Sequence, residues 1–252
     1  MGRLTIEGKK LVYPDKNYNI SSMKKHMFSS MKNVADYAIE NKNTGNEFDK
    51  VIFVVRHSIR PRDDWSNTVK LTPLGVHGAE RAGKSLCSLP GEMSYYSTNT
   101  TRTRETAYYM SIGRHIEYLP SPADVKDIYS VSTDLNYIKD QKQYDYLLKL
   151  KGYNATWYEY MYEGKGTGTA FNNIEAVSMN FINSVIAKTN TQNNILVSHD
   201  QNVMPLVVYS LDKLIDFRIN NSWLNFLSGI AILQKGNKIS IIPVTGLITG
   251  YN

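Results

Sequence analysis

Six residues of this chain are of types that do chemistry together: Arg56, His57, Arg60, Arg102, His199 and Asp200. Three of them fall in residues 51–61, VIFVVRHSIRP, where a run of apolar residues leads straight into an imidazole set between two guanidiniums. Guanidinium forks match the oxygens of a phosphate group, so phosphate is the ligand such a cluster suits best. A basic surface loop with a stray histidine is the plainer alternative for this segment taken by itself. His199 and Asp200 place a second imidazole beside a carboxylate, directly after the apolar residues NILVS. Arg102 lies in the polar segment STNTTRTRETA.

The elements that must position these residues follow from the apolar pattern. The continuous run 51–55 suits a strand buried on both faces. Its charged continuation would then emerge at the carboxyl end, where open α/β sheets place their ligands. SYYS at 94–97 reads as a second strand leading to a turn and a helix over 102–112, whose N-terminal amides would add to the positive field. NILVS at 194–198 reads as a further buried strand, followed by a helix over 203–211. If these strands are parallel, all three clusters face one crevice.

The rest of the chain fits around them. Spacing predicts a helix from Ser21 or Ser22 to about Asn41, a loop over 41–46, and a polar loop over 61–68 from which Trp65 could pack over the crevice. Thr72 reads as an N-cap with Pro73 at the first helical position. The helix that follows has Leu74, Val76, Ala79, Ala82, Leu86 and Leu89 as its apolar stripe. HIEYL at 115–119 is a candidate third strand. Residues 120–170 read as a small helical cap. GKGTGTA at 164–170 is a connector there, since its spacing fails the phosphate-loop pattern and no strand precedes it. A helix over 171–188 and a closing hairpin around Gly236-Asn237 complete the pattern. Alternating strands and helices predict a three-layer α/β/α sandwich with a mostly parallel central sheet and a small helical cap insertion. The expected organisation is a leader and helix over 1–47 packing on an α/β domain over 48–252.

The composition excludes several classes. At 252 residues, 42% hydrophobic and 21% charged, the chain can bury a substantial core. Its net charge of +6 and pI near 9.1 favour anionic ligands, but the basic residues are dispersed and form no nucleic-acid-binding arm or stripe. The 18 tyrosines read as packing residues. Cys87 is the single cysteine, so no intrachain disulfide can form, and it reads as a small buried hydrophobe. No Cys/His spacing resembles a zinc site, and no stretch is long enough to span a bilayer. MGRLTIEGKK lacks the apolar core of a signal peptide, and Ile6 stands where myristoylation needs Ser or Thr. A periplasmic or secreted location would follow only if a leader once preceded this start. His26, His77 and His115 read as structural.

RHSIRP, LTPLG, STNTTRTRETA and SHDQN, in that order, resemble the histidine phosphatase superfamily, most closely its histidine acid phosphatase and phytase-like branch. The match covers about 48–113 and 193–211. The resemblance implies that His57 attacks phosphorus and becomes phosphohistidine, and that Asp200 protonates the leaving oxygen. Arg56, Arg60, Arg102 and His199 would bind the phosphate. Arg102 is favoured over Arg104 by its spacing to Thr106-Ala107, and Arg62, Trp65 and Asn202 are further candidate substrate contacts. Asp200 is also a candidate N-cap for the next helix, which does not exclude the other role.

The implied activity is a metal-independent acid phosphatase acting on small phosphomonoesters such as inositol or sugar phosphates. It needs no cofactor, because arginine supplies the charge that a metal supplies elsewhere. Two departures stand out: Ser58 where the family usually has glycine, which would add a side chain near the phosphate, and Pro61 directly after Arg60, one residue early. The alternatives are a mutase-type phosphotransferase and a non-catalytic phosphate-binding protein on the same fold. Against the first stands the His-Asp pair in place of a glutamate donor, and against the second the presence of both His57 and Asp200.

Overall fold

The computed structural model describes residues 5–6, 9–11, 29–116, 118–131, 136–213, 216–219 and 222–247. In chain order the elements are β1 (Thr5–Ile6), β2 (Lys9–Leu11), β3 (Ser29–Ser30), α1 (Met31–Asn43), β4 (Lys50–Arg56), α2 (Pro73–Lys84), β5 (Met93–Ser97) and α3 (Thr101–Arg114). They continue with β6 (Lys126–Asp127), α4 (Gln141–Lys151), α5 (Tyr153–Glu163), α6 (Ile174–Lys188), β7 (Asn193–Ser198), α7 (Asp200–Ser210), β8 (Gly229–Lys235) and β9 (Lys238–Thr245). The sheet runs β1-β2-β9-β8-β4-β7-β5-β6, and β3 also pairs with β9. The block from β4 through β7 and β5 to β6 is parallel. On the other side of β4, β8 and β9 form an antiparallel hairpin, and β8 runs antiparallel to β4.

β4 shows why a continuous apolar run was needed. Its side chains alternate between two separate cores, and none of Ile52, Phe53, Val54 and Val55 retains any exposure. Val51, Phe53 and Val55 face a core shared with α1, α2 and α3. Ile52 and Val54 face a second core with α6, α7 and the cap aromatics Tyr144, Trp157, Tyr160 and Phe171. Each such side chain contributes about 1.5–3 kcal/mol by burial, so a polar residue on either face would be costly. The result is the expected three-layer α/β/α arrangement, with α4 and α5 as the helical cap. No described helix is long and apolar enough to cross a membrane.

Several expectations are corrected. The described residues among 115–119 form no strand: His115 takes the left-handed conformation (φ 61°) and ends α3, and the edge strand is the two-residue β6. The first described helix starts at Met31, because Ser30 caps it by accepting from the Asn33 N–H and Ser29–Ser30 pair with β9 instead; residues 21–28 and His26 lie outside the described residues. α1 runs on to Asn43, past the expected boundary at Asn41. α6 begins at Ile174, since Asn173 is its N-cap and Phe171 is drawn into the cap core. α7 begins at Asp200 rather than Val203, because the backbone turns helical directly after His199. Cys87 is exposed, in the turns that follow α2. Leu74 is exposed too, because α2 packs through its glycines and Ala79 rather than through its large residues. At Gly75 a Cβ would stand 2.0 Å from the Ile59 carbonyl oxygen, so only glycine lets α2 meet the loop after β4.

Candidate active site

Parallel pairing brings the carboxyl ends of β5, β7 and β4 to one edge of the sheet, side by side. Arg56 closes β4 in register with Ser198 at the end of β7, and Val197 lies beside Ser97 of β5. His57, Thr98 and His199 are the next residues of the three strands. Of the sequence-predicted residues, Arg56, His57, Arg60, Arg102, His199 and Asp200 come together here.

The loop carrying His57 is held by the start of α2. Thr72 caps that helix through Gly75 N at 3.0 Å, and its own N–H donates to the Ile59 carbonyl at 3.0 Å. Ser58 is fully buried, and its hydroxyl donates to the Gly75 carbonyl at 2.7 Å while its N–H donates to Thr106 Oγ1 at 3.0 Å. The side chain expected near the phosphate position therefore braces the loop against α2. Pro61 also finds a use, since its carbonyl accepts from Arg60 Nη1 at 2.6 Å. The same nitrogen donates to the carbonyls of Arg62 at 3.1 Å and Asp64 at 2.8 Å, and the Arg60 guanidinium stacks 4.0 Å from the Trp65 ring centroid. Arg62 is itself exposed, and its carbonyl is one of the groups that hold Arg60. Trp65, 77% exposed, covers Arg60 rather than the histidines.

His57 is buried, with Nδ1 2.7 Å from the Ser58 carbonyl. A carbonyl only accepts, so Nδ1 carries the proton and Nε2 keeps its lone pair. Burial, and then the Arg56 charge, hold the imidazole pKa well below its ordinary value, so the ring is neutral and nucleophilic. His199 is arranged the other way round. Its Nε2 is 3.0 Å from Thr98 Oγ1, and its Nδ1 lies 3.4 Å from Arg102 Nη2, a donor. Nε2 therefore carries the proton, and burial followed by the Arg102 charge pushes this pKa down to about 4. The two imidazoles meet edge to face, 5.6 Å between centroids.

Asp200 sits in the first turn of α7, where a carboxylate is favoured by the helix dipole. Oδ1 accepts from the Gln201 N–H at 2.9 Å; Oδ2 accepts from Trp223 Nε1 at 2.9 Å and lies 3.3 Å from Arg56 Nη2. Burial alone would raise its pKa, but the Arg56 charge and the hydrogen bonds from Trp223 and the Gln201 N–H bring it down to about 2. Arg56 also donates from Nη1 to the Leu224 carbonyl and lies 4.1 Å over the Phe226 ring. Arg102 donates from Nη1 to the Ser66 carbonyl at 2.8 Å. The Nε–H groups of Arg56 and Arg102 are both buried with no hydrogen-bond partner. Two orphaned guanidinium donors beside a neutral imidazole are what an anion such as a phosphoryl group would satisfy. Arg104 faces away, bonding Asn99 and the Val125 carbonyl. Asn202 donates to Ser198 Oγ at 3.1 Å and so holds the end of β7.

Sequence reasoning missed Thr98, Thr106, Trp223, Leu224 and Phe226. The two threonines lie inside STNTTRTRETA, so their signal was present. The segment 222–228 belongs to no motif. It arrives because β8 is antiparallel to β4 and so begins at the edge where β4 ends. The Arg56 N–H donates to the Ser228 carbonyl at 2.9 Å, and the Leu227 N–H donates to the Arg56 carbonyl at 3.1 Å. Gly229, opposite Val55, has no room for a Cβ, which would lie 1.9 Å from the Val54 carbonyl oxygen. Leu227 holds a left-handed φ of 61°, a conformation of order 1–3 kcal/mol in cost for a residue of this kind.

No protein-family model and no curated protein matches the sequence. Among solved structures, the chain is similar to YhfR of Bacillus stearothermophilus, at 16% identity over 79% of this chain and 98% of that one, with a TM-score of 0.49. It is similar to the mycobacterial glucosyl-3-phosphoglycerate phosphatase at 13% identity over 78% and 98% of the two chains, TM-score 0.48. For the ecdysone phosphate phosphatase of the silkworm Bombyx mori, solved with tungstate, the values are 14%, 81% and 97%, TM-score 0.44.

Proposed function

We propose that this protein is a metal-independent phosphomonoester hydrolase working through a phosphohistidine at His57. The observation that carries this reading is the tautomer: Nδ1 of His57 is committed to the Ser58 carbonyl, which leaves Nε2 as an unprotonated nucleophile among arginines. In the first step the Nε2 lone pair forms a bond to phosphorus, the bond from phosphorus to the ester oxygen breaks, and that oxygen takes a proton from Asp200. In the second step water attacks phosphorus, Asp200 recovers a proton from it, and the bond to nitrogen breaks with its electrons returning to Nε2. Arg56, Arg60 and Arg102 stabilise the equatorial oxygens throughout.

Asp200 must be protonated to act as the donor, and Arg56 and Trp223 hold it ionised. A bound phosphoryl group resolves this in two ways. Its negative charge opposes the pull of Arg56 on the carboxylate, and an ester entering as the monoanion below its second pKa of about 6 brings the missing proton with it. Both favour turnover in acid, so the rate falls as pH rises through neutrality.

The test is hydrolysis of p-nitrophenyl phosphate across pH 4–8 with EDTA present, beside His57→Ala. Turnover that survives the chelator and drops by about 10⁴-fold or more in the variant is expected. Rapid acid and alkaline quenching should trap a phosphoprotein that survives alkali and is lost in acid, as a phosphoramidate is. Equal activity in the two proteins removes His57 as nucleophile.

A further inference from the structure

The proton donor marks the side from which the leaving group departs, and that side is built of aromatic rings. Trp223 is 6% exposed, and its Nε1 donates to Asp200 Oδ2. On Trp223 rests Tyr153, with ring centroids 5.2 Å apart and planes at 51°. Tyr153 opens α5 after Gly152, whose φ of 80° breaks the path from α4 and swings the first residue of α5 toward Trp223. Behind these rings stand Trp157, 6.4 Å from Tyr153 and fully packed, and Tyr158, 6.0 Å from Trp223. Tyr158 also anchors the loop, donating to the Ser222 carbonyl at 2.6 Å.

Tyr153 differs from Trp157, Tyr158 and Trp223 in being 40% exposed, so this cluster of tilted rings has one member open to solvent. It is near enough to the reacting groups to feel them: after burial, the Asp200 charge raises the pKa of its hydroxyl and the Arg56 charge opposes that. Two cap lysines are spent elsewhere, Lys151 on Glu159 and Lys165 on Glu159 and Glu163. The cap therefore offers the leaving group a ring face, while the arginines that would hold phosphate lie on the strand-end side.

We propose that Tyr153, backed by Trp223, forms a leaving-group subsite that selects phosphomonoesters of flat, apolar groups, aryl esters above all, over polyanionic inositol or sugar phosphates. The proposal rests on the phosphomonoesterase reading and supplies its substrate class. A ring stacked on Tyr153 gains both apolar burial and an aromatic pair contact, together worth about tenfold in affinity.

Calorimetric titration of the full chain with phenylphosphonate and methylphosphonate tests this without the reactivity difference between leaving groups. Phenylphosphonate is expected to bind about tenfold tighter. That ratio should fall to about one in Tyr153→Ala and persist in Tyr153→Phe, with thermal melts confirming that both variants fold. Equal affinities in the wild-type protein, or a ratio unchanged in Tyr153→Ala, overturns the subsite. So does inositol hexakisphosphate binding more tightly than phenylphosphonate. Failure of the underlying reading looks different: methylphosphonate binds, but no p-nitrophenyl phosphate turns over. If neither phosphonate binds, both readings fall together.

Discussion

The two sides of the sheet contribute unlike things to the same crevice. The parallel side, with its strand ends at β4, β5 and β7, delivers the ionisable groups: Arg56, His57, Arg102, His199 and Asp200. The antiparallel side, through the loop before β8, delivers an indole N–H, a carbonyl oxygen and a phenyl ring. One side supplies charge; the other fixes where the charge points. Arg56 shows the division most directly, since its guanidinium is shared between the Asp200 carboxylate and the Leu224 carbonyl. A site of this kind should respond steeply to changes on the parallel side. Changes on the antiparallel side should shift its tuning.

After loss of His57 itself, the largest expected effect comes from Asp200→Asn, which removes the proton donor but keeps its shape. For an alkyl phosphate, kcat should fall about 10²- to 10⁴-fold. For p-nitrophenyl phosphate, whose phenolate departs with little help, the loss should be far smaller. Equal losses on the two esters would mean that Asp200 does not protonate the leaving oxygen.

Next in size is an effect on stability. The folded pKa of His199 is about 4, against about 6.5 in an unfolded chain, so the folded state binds fewer protons between those values. Its contribution to stability is complete above pH 6.5 and is lost as pH falls toward 4. His57, shifted in the same direction, adds to the loss. Urea unfolding at pH 7.5 and at pH 4 should show the wild-type protein losing about 3 kcal/mol relative to His199→Gln. No relative change would mean that His199 is not held neutral.

The smallest effect, and the one that most sharpens the contrast, is expected from Trp223→Phe. It keeps a ring against Tyr153 but deletes the hydrogen bond to the Asp200 carboxylate. That bond favours the ionised form, so its loss raises the Asp200 pKa. The alkaline limb of the pH–rate profile should move to higher pH while kcat falls about tenfold. A lower rate with an unmoved limb would make Trp223 a packing residue and nothing more.

The same contrast explains what could be read before the fold was known. Residues at the carboxyl ends of parallel strands follow their apolar runs directly, so Arg56-His57 and His199-Asp200 are visible as pairs of pattern and chemistry. Thr72 and Pro73 were visible as a helix start, although Thr72 and Gly75 were not visible as the brace for Ile59 and Ser58. Trp223 was not visible at all. Its role depends on β8 running against β4, and strand direction leaves no mark in an apolar run. Residues 115–119 misled for a local reason: HIEYL alternates like a strand, but its first residue is consumed in ending α3. Leu74 misled because glycines, rather than large apolar residues, set how closely α2 packs.

The contact of Arg56 with Asp200 bears on how turnover ends. Arg56 has a counter-ion within the protein, the Asp200 carboxylate 3.3 Å away. Inorganic phosphate leaving the crevice does not strand a bare buried cation, because the carboxylate takes its place. In the proposed hydrolysis, product would thus be displaced from within the site, and desorption would not wait for solvent to reach the guanidinium. Inorganic phosphate should accordingly inhibit the wild-type protein weakly and Asp200→Asn, which has lost that internal competitor, more strongly.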